Sequence, residues 1–311
     1  MIYTCTMNPA IDLFCSFAKF NPFVVNRSQY EDYQANGKAI NISLMLKKMG
    51  IDSIATGFLG GFTGSFIEET LQSQGVNTAF IKVDGITRIN TFIRAGELEY
   101  KAVNHGPMIP TQAQEHLLEF IGTFKKNDTL FVSGSFPKNV DDSILITISR
   151  LAQRQGFSLI LDVSSNVLLD CLPYHPALIK PSDEELAAFF NYSAGKMTTD
   201  QIIKAAHTLL ERGAQRVIVS RGAKGAIYAD QDVVLSVNAA HGKVVNTACS
   251  GDTFVACFSG ALIQNKKISE ALCFASAAAS STAFTAGLSD LHDVPDLLKQ
   301  IVITEKIESE A

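Results

Sequence analysis

The sequence predicts an α/β fold in which a mostly parallel sheet carries helices on both faces. Apolar runs of strand length alternate with amphipathic stretches of helical length along the 311 residues. The chain is 47% hydrophobic and 18% charged, a composition that buries a full core and argues against disorder. Its length allows one large domain or two smaller ones, and no internal repeat or long linker divides it.

Charge and cysteine content narrow the class of protein. The net charge of −5 offers no basic face for nucleic acid, although a local basic pocket can still bind a small anion. The six cysteines form no C-x-x-C pair, which favours free thiols in a reducing cytoplasm. The N-terminus has the pattern of a strand and not of a signal peptide, and no apolar stretch is long enough to span a membrane.

The first strand is predicted at residues 1–7 and ends at the turn pair Asn8-Pro9. Asp12 lies just beyond this strand. Ligands of open α/β sheets bind at the carboxyl ends of the strands, so Asp12 is a candidate for holding sugar hydroxyls. A solvated loop carboxylate is the alternative. The weak alternation of residues 13–35 predicts short strands that cover a site.

A helix that ends at Gly50 is predicted to begin near Gly37 and Lys38. Amides and an ammonium group can meet an anion at such a loop-to-helix junction. A strand at 51–56 follows, and then a glycine-rich segment at 57–64 that fits neither G-x-x-x-x-G-K-[ST] nor G-x-G-x-x-G. We expect this segment to be a loop, and tight turns alone would explain its glycines.

Short strands are predicted at 79–83, 88–95 and 98–103. Arg88 and Asn90 share one face of the middle strand, because side chains alternate along a strand. An arginine beside an asparagine can bind a phosphate through paired hydrogen bonds. Surface exposure alone would account for the pair equally well.

The second half of the chain continues the alternation of strands and helices. Helices are predicted at 111–124, 141–155 and 199–212, and strands at 129–133, 159–162, 177–180 and 216–220. Ser135 follows one of these strands and is either a substrate contact or a turn serine. Ser182 is predicted to cap the next helix, with Glu185 completing a capping box that is a sufficient explanation for this carboxylate.

Residues 249–252 form a turn of small and polar residues before an apolar run at 254–263 that suits a helix. The first amides of a helix have no partner within it, and its dipole adds positive charge at the same end. Gly251 permits close approach of a ligand, so the turn can hold an anion. Asp252 either takes a proton from a hydroxyl that attacks a phosphoryl group or simply favours the positive end of the helix.

Eight short motifs occur in a specific order. They are Thr6-x-Asn8-Pro9-Ala10-x-Asp12, Asn36-Gly37-Lys38-Ala39-Ile40-Asn41, Gly57-Phe58-Leu59-Gly60, Thr87-Arg88-Ile89-Asn90, Ser133-Gly134-Ser135-Phe136-Pro137, Lys180-Pro181-Ser182, Ser220-x-Gly222-x-x-Gly225 and Asn246-Thr247 with Gly251-Asp252. This set resembles the ribokinase-like PfkB carbohydrate kinases, and within them the 1-phosphofructokinase and tagatose-6-phosphate kinase branch. The resemblance covers nearly the whole chain.

The resemblance implies a single ribokinase-like kinase domain over residues 1–311. This is a Rossmann-like α/β sandwich with a small β-sheet lid, built here from about 10–35 and 87–106. The resemblance also implies ATP and Mg²⁺ as cofactors and a sugar phosphate as the small-molecule partner. A homodimer formed through the lid is a further implication.

The resemblance assigns roles to the positions that match the family's motifs. Asp252 matches the catalytic base, and the amides of Cys249, Ser250, Gly251 and Asp252 match the anion hole. The positions that match contacts to the sugar phosphate are Asp12, Gly37, Lys38, Asn41, Arg88, Asn90 and Ser135. The positions that match nucleotide contacts are Lys180, Ser220, Gly222, Gly225, Ser280 and Gly287. Glu185 and Asp162 match carboxylates that help to hold Mg²⁺.

Three residues depart from the family pattern. Cys249 stands where the family has the first glycine of Gly-x-Gly-Asp, which is tolerable at negative φ and strains the turn otherwise. Ser182 replaces the asparagine of Lys-Pro-Asn, a change that bears on the metal and its water network. Ala39 replaces a glycine beside the sugar.

The reaction implied is ATP-dependent phosphorylation of D-fructose 1-phosphate at its 6-hydroxyl, with Asp252 as general base. The tetrapeptide Thr87-Arg88-Ile89-Asn90 resembles the fructose-1-phosphate branch more than the tagatose branch. Tagatose 6-phosphate and fructose 6-phosphate are the alternative substrates. A degenerate kinase that binds sugar phosphate or nucleotide as a sensor is a rival that Cys249 and Ser182 keep open.

Overall fold

The fold is described from a computed structural model, which describes residues 1–305. The first seven strands are β1 (Ile2–Thr6), β2 (Ala10–Phe17), β3 (Tyr30–Asn36), β4 (Ile54–Gly60), β5 (Asn77–Val83), β6 (Arg88–Ala95) and β7 (Leu98–Ala102). The remaining strands are β8 (Thr129–Ser133), β9 (Ser158–Asp162), β10 (Leu178–Ile179), β11 (Val217–Ser220), β12 (Ala226–Ala229), β13 (Val234–Val237) and β14 (Ile303–Glu305).

Helices separate most of these strands. They are α1 (Lys38–Lys48), α2 (Gly61–Ser73), α3 (Thr111–Ile121), α4 (Ile144–Gln155), α5 (Leu168–Cys171), α6 (Asp183–Phe189), α7 (Thr199–Glu211), α8 (Ser250–Ile263), α9 (Ile268–Ala283) and α10 (Val294–Leu297). The two longest, α8 and α9, are adjacent in the chain and pack against each other.

The larger sheet has ten strands in the order β14-β13-β12-β11-β10-β9-β8-β1-β4-β5. The pairs from β11 to β5 are parallel, and those between β11, β12, β13 and β14 are antiparallel. The predicted mostly parallel sheet is therefore confirmed. The carboxyl ends of β1, β8, β9 and β10 meet at one edge of the sheet, which is the expected place for a ligand site.

Helices cover both faces of this sheet, as predicted. Phe131 of β8 faces the side covered by α1, α8 and α9, whereas its neighbour Leu130 faces the side of α3, α4 and α7. Successive residues of a strand point to opposite faces, so a buried strand that is apolar throughout serves two cores. The sequence of β8 is apolar in this way because both of its faces are covered.

A smaller sheet of four strands, in the order β3-β2-β6-β7, stands apart from the larger one. Strands β2 and β6 pair in parallel, and β3 and β7 flank them antiparallel. Most of the outer strand β7 is exposed. The four strands of the smaller sheet fall largely in the two stretches predicted to form a lid. That this sheet acts as a lid stays a prediction.

The glycine-rich segment at 57–64 is not the loop that the sequence suggested. Gly57 to Gly60 end β4 and pair with β5, and α2 begins at Gly61. Gly57 also pairs with Thr6 of β1, and a Cβ on Gly57 would lie 1.9 Å from the carbonyl oxygen of Thr6, so this approach of β4 to β1 requires glycine. The glycines thus allow close packing of strands, a demand that the sequence pattern alone does not distinguish from a turn.

All six cysteines are free, as predicted, and Cys5, Cys171 and Cys257 are buried. Within residues 1–305, none of the helices is long and apolar enough to cross a membrane. The frayed acidic tail that the sequence suggests at its end falls largely on residues 306–311, which lie outside the described part of the chain.

Candidate active site

The candidate site lies at the edge where β1, β8, β9 and β10 end, between the two sheets and the start of α8. Asp12 comes from β2 and Asn41 from α1, while Asp162 ends β9 and Lys180 follows β10. All four side chains are buried. Buried polar groups at a sheet edge are costly unless they are paired, so their contacts show what the site is built to hold.

Asp252 is in the first turn of α8 and is 5% exposed. Its Oδ2 accepts a hydrogen bond of 2.8 Å from Nδ2 of Asn41. Burial and the nearby Asp162 raise the pKa of Asp252 to about 6, against the lowering effects of Asn41, Lys38 and Lys180. A carboxylate with this pKa can accept a proton from a substrate near neutral pH.

The turn before α8 brings backbone amides to the same place. By helix geometry the amides of Gly251 and Asp252 have no acceptor inside the helix, whose first backbone bond from this turn runs from Thr253 N to Cys249 O at 2.9 Å. A Cβ on Gly251 would lie 3.5 Å from Nζ of Lys180. The amides and an ammonium group therefore face one small region, which suits an anion.

Cys249 precedes α8 and has φ 64° and ψ −5°, in the left-handed region. Glycine adopts this conformation without cost but cysteine does not, so the condition of negative φ does not hold and the turn is strained. Sγ of Cys249 lies 3.2 Å from Nδ2 of Asn41. Burial, with Asp252 and Asp12 nearby, raises the pKa of the thiol to about 12, which keeps it protonated.

A second buried carboxylate, Asp162, lies between two lysines. Its Oδ1 is 3.1 Å from Nζ of Lys180 and 3.4 Å from Nζ of Lys38. Burial alone would raise the pKa of Asp162, but the two ammonium groups outweigh it and lower the pKa. Burial lowers the pKa of Lys38, and the carboxylates Asp162, Asp252 and Glu185 reverse this and raise it. Asp162 and Lys38 are therefore both charged at neutral pH.

Asp12 and Asn90 are joined across the smaller sheet. Nδ2 of Asn90 donates to Oδ1 of Asp12 at 2.8 Å, and Nδ2 of Asn36 donates to Oδ2 at 2.5 Å. Burial raises the pKa of Asp12, against the lowering effect of these bonds and of Arg88. Asp12 lines a cavity of about 340 Å³ between the smaller sheet and the turn before α8, with Gln34, Tyr100 and Ala248.

Arg88 lies on the same sheet, but its guanidinium group donates to backbone carbonyl oxygens. These belong to Asn8 at 2.8 Å, Asn104 at 3.1 Å and Pro9 at 3.4 Å. Burial lowers the pKa of Arg88, and Asp12 opposes this effect. The side chain thus also holds two loops in place, and its grip on a phosphate stays a prediction.

The capping box predicted at the start of α6 is confirmed. Oγ of Ser182 accepts from the amide of Glu185 at 3.1 Å, and Oε2 of Glu185 accepts from the amide of Ser182 at 2.8 Å. Glu185 raises the pKa of Lys38, so its charge acts on the same cleft. One carboxylate oxygen is committed to the cap and the other remains for a ligand.

The remaining candidates are more dispersed. Ser135 accepts a long bond of 3.5 Å from Nδ2 of Asn8, beside the end of β8. Ser220 ends β11 and forms a parallel bridge with Ser182, which brings it to the same sheet edge. Gly287 lies near the smaller sheet, where a Cβ would be 3.9 Å from Oε1 of Gln34.

Four candidates have a structural explanation or adjoin other features. Gly225 packs against a strand, because a Cβ there would lie 1.9 Å from the carbonyl oxygen of Val237. Gly222 has φ 54° and open space around it. The buried hydroxyl of Ser280 donates to Ser276 O at 2.8 Å and accepts from the amide of Ala240 at 3.0 Å, so its bonding is internal. Gly37 is packed tightly at the start of α1, where a Cβ would be 2.6 Å from Cγ2 of Thr6.

Asn36 is a residue that the sequence reasoning did not single out, although it belongs to the motif around Lys38. Its amide contacts Asp12 on one side and Asn41 on the other. The sequence feature that points to Asn36 is its place as a polar residue directly before Gly37, at the junction between a strand and a helix.

Comparisons with known proteins agree with this geometry. The sequence profile of the family described as "pfkB family carbohydrate kinase" matches residues 6–294. A D-tagatose-1-phosphate kinase from Bacillus licheniformis is 49% identical over 304 residues, which are 98% of this chain and 99% of that protein. A 1-phosphofructokinase from Bacillus subtilis is 32% identical, with 98% and 99% covered.

Solved structures share the same fold. Phosphofructokinase-2 from Escherichia coli in complex with potassium has a TM-score of 0.89 at 27% identity, covering 96% of this chain and 98% of that chain. The tetrameric inhibited form of the same enzyme has a TM-score of 0.87 at 27% identity, covering 96% and 99%. These similarities extend over both sheets and not over a single motif.

Proposed function

Because the chain belongs to the pfkB family of carbohydrate kinases, we propose that it phosphorylates the 6-hydroxyl of a ketohexose 1-phosphate, with D-tagatose 1-phosphate as the first candidate. The observation that carries this choice is the 49% identity with the D-tagatose-1-phosphate kinase of Bacillus licheniformis across nearly the whole of both chains. The phosphoryl donor is ATP, because membership of a kinase family implies the use of ATP.

D-Fructose 1-phosphate is the second candidate. The sugar is the carbon-4 epimer of tagatose, so the two substrates share the 1-phosphate and the reacting 6-hydroxyl. The similarity to the 1-phosphofructokinase of Bacillus subtilis supports it, as does the tetrapeptide Thr87-Arg88-Ile89-Asn90. A single inverted hydroxyl changes the affinity only where a hydrogen-bonding side chain faces it.

Asp252 is the general base in this proposal. Its position at the start of α8 and its pKa of about 6 allow it to take the proton of the 6-hydroxyl as the oxygen attacks the terminal phosphorus of ATP. The bond from that phosphorus to the bridging oxygen of ADP breaks as the new P–O bond forms. The hydrogen bond from Asn41 orients the carboxylate toward the cleft.

The substrate is held by side chains at the edge of the two sheets. In this proposal Asp12 accepts hydrogen bonds from sugar hydroxyls, and Asn41 and Ser135 are further contacts to the sugar. Lys38 and Arg88 supply positive charge for the phosphate that the sugar already carries, which makes unphosphorylated sugars poor substrates. Asn90 supports this grip by holding Asp12 in place.

The amides of residues 249–252 serve as the anion hole for the transferring phosphoryl group. Lys180 is close to Gly251 and adds a positive charge on the same side. Preorganised donors of this kind stabilise charge that develops in the transition state. The nucleotide lies along the edge marked by Ser220, Gly222 and Gly225, whereas Ser280 with its internal hydrogen bonds is the weakest of the nucleotide candidates.

The carboxylates fit a magnesium ion that accompanies ATP. Oδ2 of Asp162 is buried and has no hydrogen-bond partner among the described residues, and one oxygen of Glu185 is free of the capping box. Within residues 1–305 no cluster of three or more acidic, histidine or cysteine side chains could hold a metal alone. Mg²⁺ in kinases is held by one or two carboxylates and the nucleotide phosphates, and it neutralises phosphate charge when bound.

The smaller sheet is proposed as the lid over the sugar and as the dimer contact. Its exposed side chains include large apolar ones, such as Tyr33, Leu98 and Tyr100, which a partner could cover. The tetrameric form of the Escherichia coli relative shows that this fold assembles in that protein. Free cysteines are consistent with the proposed cytoplasmic location.

A coupled assay of ADP release tests the substrate assignment with four compounds: the 1-phosphates and 6-phosphates of D-tagatose and D-fructose. We expect the highest kcat/KM with D-tagatose 1-phosphate and a lower value with D-fructose 1-phosphate. Preference for either 6-phosphate would overturn the assignment. Binding of a sugar phosphate by calorimetry without any ADP release would instead favour a sensor.

A further inference from the structure

We propose that Asn36 is a positioning residue that fixes the substrate carboxylate Asp12 against Asn41 and Asp252. This inference rests on the proposed sugar-phosphate kinase function and adds a residue that neither the motifs nor the comparisons assign. Asn36 is the last residue of β3 and directly precedes Gly37, where the chain passes from the smaller sheet into α1. It therefore stands at the junction between the two halves of the site.

The carboxamide of Asn36 is engaged at both ends. Its Nδ2 donates to Oδ2 of Asp12 at 2.5 Å. Its Oδ1 accepts from the amide of Gly37 at 2.6 Å and from Nδ2 of Asn41 at 2.9 Å. Reversal of the amide would place oxygen against the carboxylate and nitrogen against two donors, so the contacts fix its orientation.

The contacts of Asn41 extend this chain to the base. Nδ2 of Asn41 has two hydrogens and three acceptors within reach, namely Asp252 at 2.8 Å, Asn36 at 2.9 Å and Sγ of Cys249 at 3.2 Å. The two shorter contacts use both hydrogens. Asn36 thus takes one hydrogen and leaves the other directed at Asp252.

The result is a continuous series of hydrogen bonds from Asp12 through Asn36 and Asn41 to Asp252. Asp12 belongs to the smaller sheet and Asp252 to α8 on the larger one. A sugar hydroxyl held by Asp12 must lie at a set distance from the base for proton transfer, and misplacement by about 1 Å can cost roughly 100-fold in rate. The hydrogen bonds of Asn36 set the distance between Asp12, which holds the hydroxyl, and the base Asp252.

A purely structural role for Asn36 is the competing explanation, because its Oδ1 also binds the first amide before α1. That role predicts lower stability and a smaller active fraction, without a change in KM. The positioning role predicts an effect on both the affinity for the sugar phosphate and the chemical step. Separate measurement of KM and kcat distinguishes the two roles, whereas loss of activity alone does not.

Asn36→Ala tests the proposal through kcat and KM for the better 1-phosphate substrate. We expect KM for the sugar phosphate to rise about tenfold and kcat to fall about tenfold, as for the loss of a hydrogen bond to a charged group. KM for ATP should stay within about twofold. Calorimetry with the same sugar phosphate should show the weaker binding even if turnover is too slow to measure.

Asn36→Asp gives a second readout that a structural role would not produce. When protonated, the introduced carboxyl can still donate to Asp12 and accept from Asn41. When ionised, it faces Asp12 as a like charge, so the pair shares one proton at low pH. Arg88 faces Asp12 from β6 and Cys249 faces it from the turn before α8, and both remain. We expect kcat/KM relative to the natural enzyme to fall steadily as the pH rises from about 5.5 to 8.5.

Asn77→Ala is the matched control, because Asn77 is exposed and begins β5, at the end of the larger sheet opposite the site. Its kinetics should equal those of the natural enzyme. Unchanged KM, kcat and calorimetric affinity in Asn36→Ala would overturn the proposal, as would a pH-independent ratio for Asn36→Asp. Failure of the natural enzyme to turn over any of the four sugar phosphates would overturn the proposed function instead, and calorimetry would still test Asn36.

Discussion

Two ends of one cleft each hold a buried carboxylate. The neighbours of these two groups shift their pKa values in opposite directions. Asp252 is hydrogen-bonded by the neutral amide of Asn41, and burial with Asp162 nearby raises its pKa to about 6. Asp162 is equally buried, but Lys180 and Lys38 lie within 3.1 and 3.4 Å, and its pKa is lowered. Burial is common to both groups, and the charge of the neighbours differs.

The difference shows how one sheet edge can provide two kinds of carboxylate. A group that must accept a proton needs a pKa near the working pH, which burial beside an amide supplies. A group that must remain negative needs cations close by. Asp252 is thus suited to proton transfer, whereas Asp162 holds two ammonium groups in place and stays ionised.

The largest effect is expected at the proton-accepting end. Asp252→Asn keeps the shape of the side chain but cannot accept a proton, so kcat should fall about 10²- to 10⁴-fold. The affinity for ATP should change little, since the nucleotide candidates Ser220, Gly222 and Gly225 lie elsewhere along the edge. Steady-state kinetics and nucleotide titration measure the two quantities. Near-normal turnover would show that the base is another group.

A large effect on stability is expected at the ion-paired end. Asp162→Asn leaves the buried ammonium of Lys180 without its carboxylate, so the free energy of unfolding should fall by about 3 kcal/mol. Urea unfolding followed by circular dichroism measures this loss. A change below about 1 kcal/mol would mean that the pair does not hold this end of the cleft together.

The matched control is an ion pair on the surface. Lys47 and Asp52 are 2.8 Å apart, with exposed fractions of 38% and 73%. Exposed pairs contribute about 0–1 kcal/mol, so Asp52→Asn should change the unfolding free energy by less than that. The contrast between the two substitutions isolates the contribution of burial.

A smaller effect is expected at Cys249, beside the proton-accepting end. Cys249→Gly relieves a left-handed backbone conformation that costs about 1–3 kcal/mol, but the flexible glycine offsets roughly 0.5–1 kcal/mol through the unfolded chain. We expect a net stabilisation of about 0–2.5 kcal/mol, measured by thermal unfolding.

Cys249→Ala separates the strain from the thiol, because alanine retains the left-handed conformation and lacks Sγ. This variant should show no gain in stability. If both variants are equally stable, the thiol contact with Asn41 matters more than the backbone strain.

Much of the fold could be predicted from sequence because it depends on periodicity. The strand β8 was predicted with the observed bounds, since a short apolar run between polar turns has few other interpretations. The segment around Gly57 was predicted wrongly, because glycine suits both a turn and the close approach of two strands. That choice depends on Thr6, which is distant in sequence.

The site was predictable only as a set of positions. The capping box of Ser182 and Glu185 is local in sequence and was confirmed. The orientation of Arg88 toward backbone carbonyls and the links of Asn36 depend on groups brought together by the fold. The left-handed backbone of Cys249 is likewise a property of the turn and not of the residue type, which usually avoids it.

The central claim is that Asp252 accepts the proton, and the ratio of kcat for the natural enzyme to kcat for Asp252→Asn, followed against pH, tests it most directly. The titration of the sugar phosphate is common to both enzymes and cancels in this ratio. The carboxyl must be ionised to act and its pKa is about 6, so the ratio should rise about tenfold per pH unit below that value and then level off. A ratio that stays constant across the same range would contradict the claim.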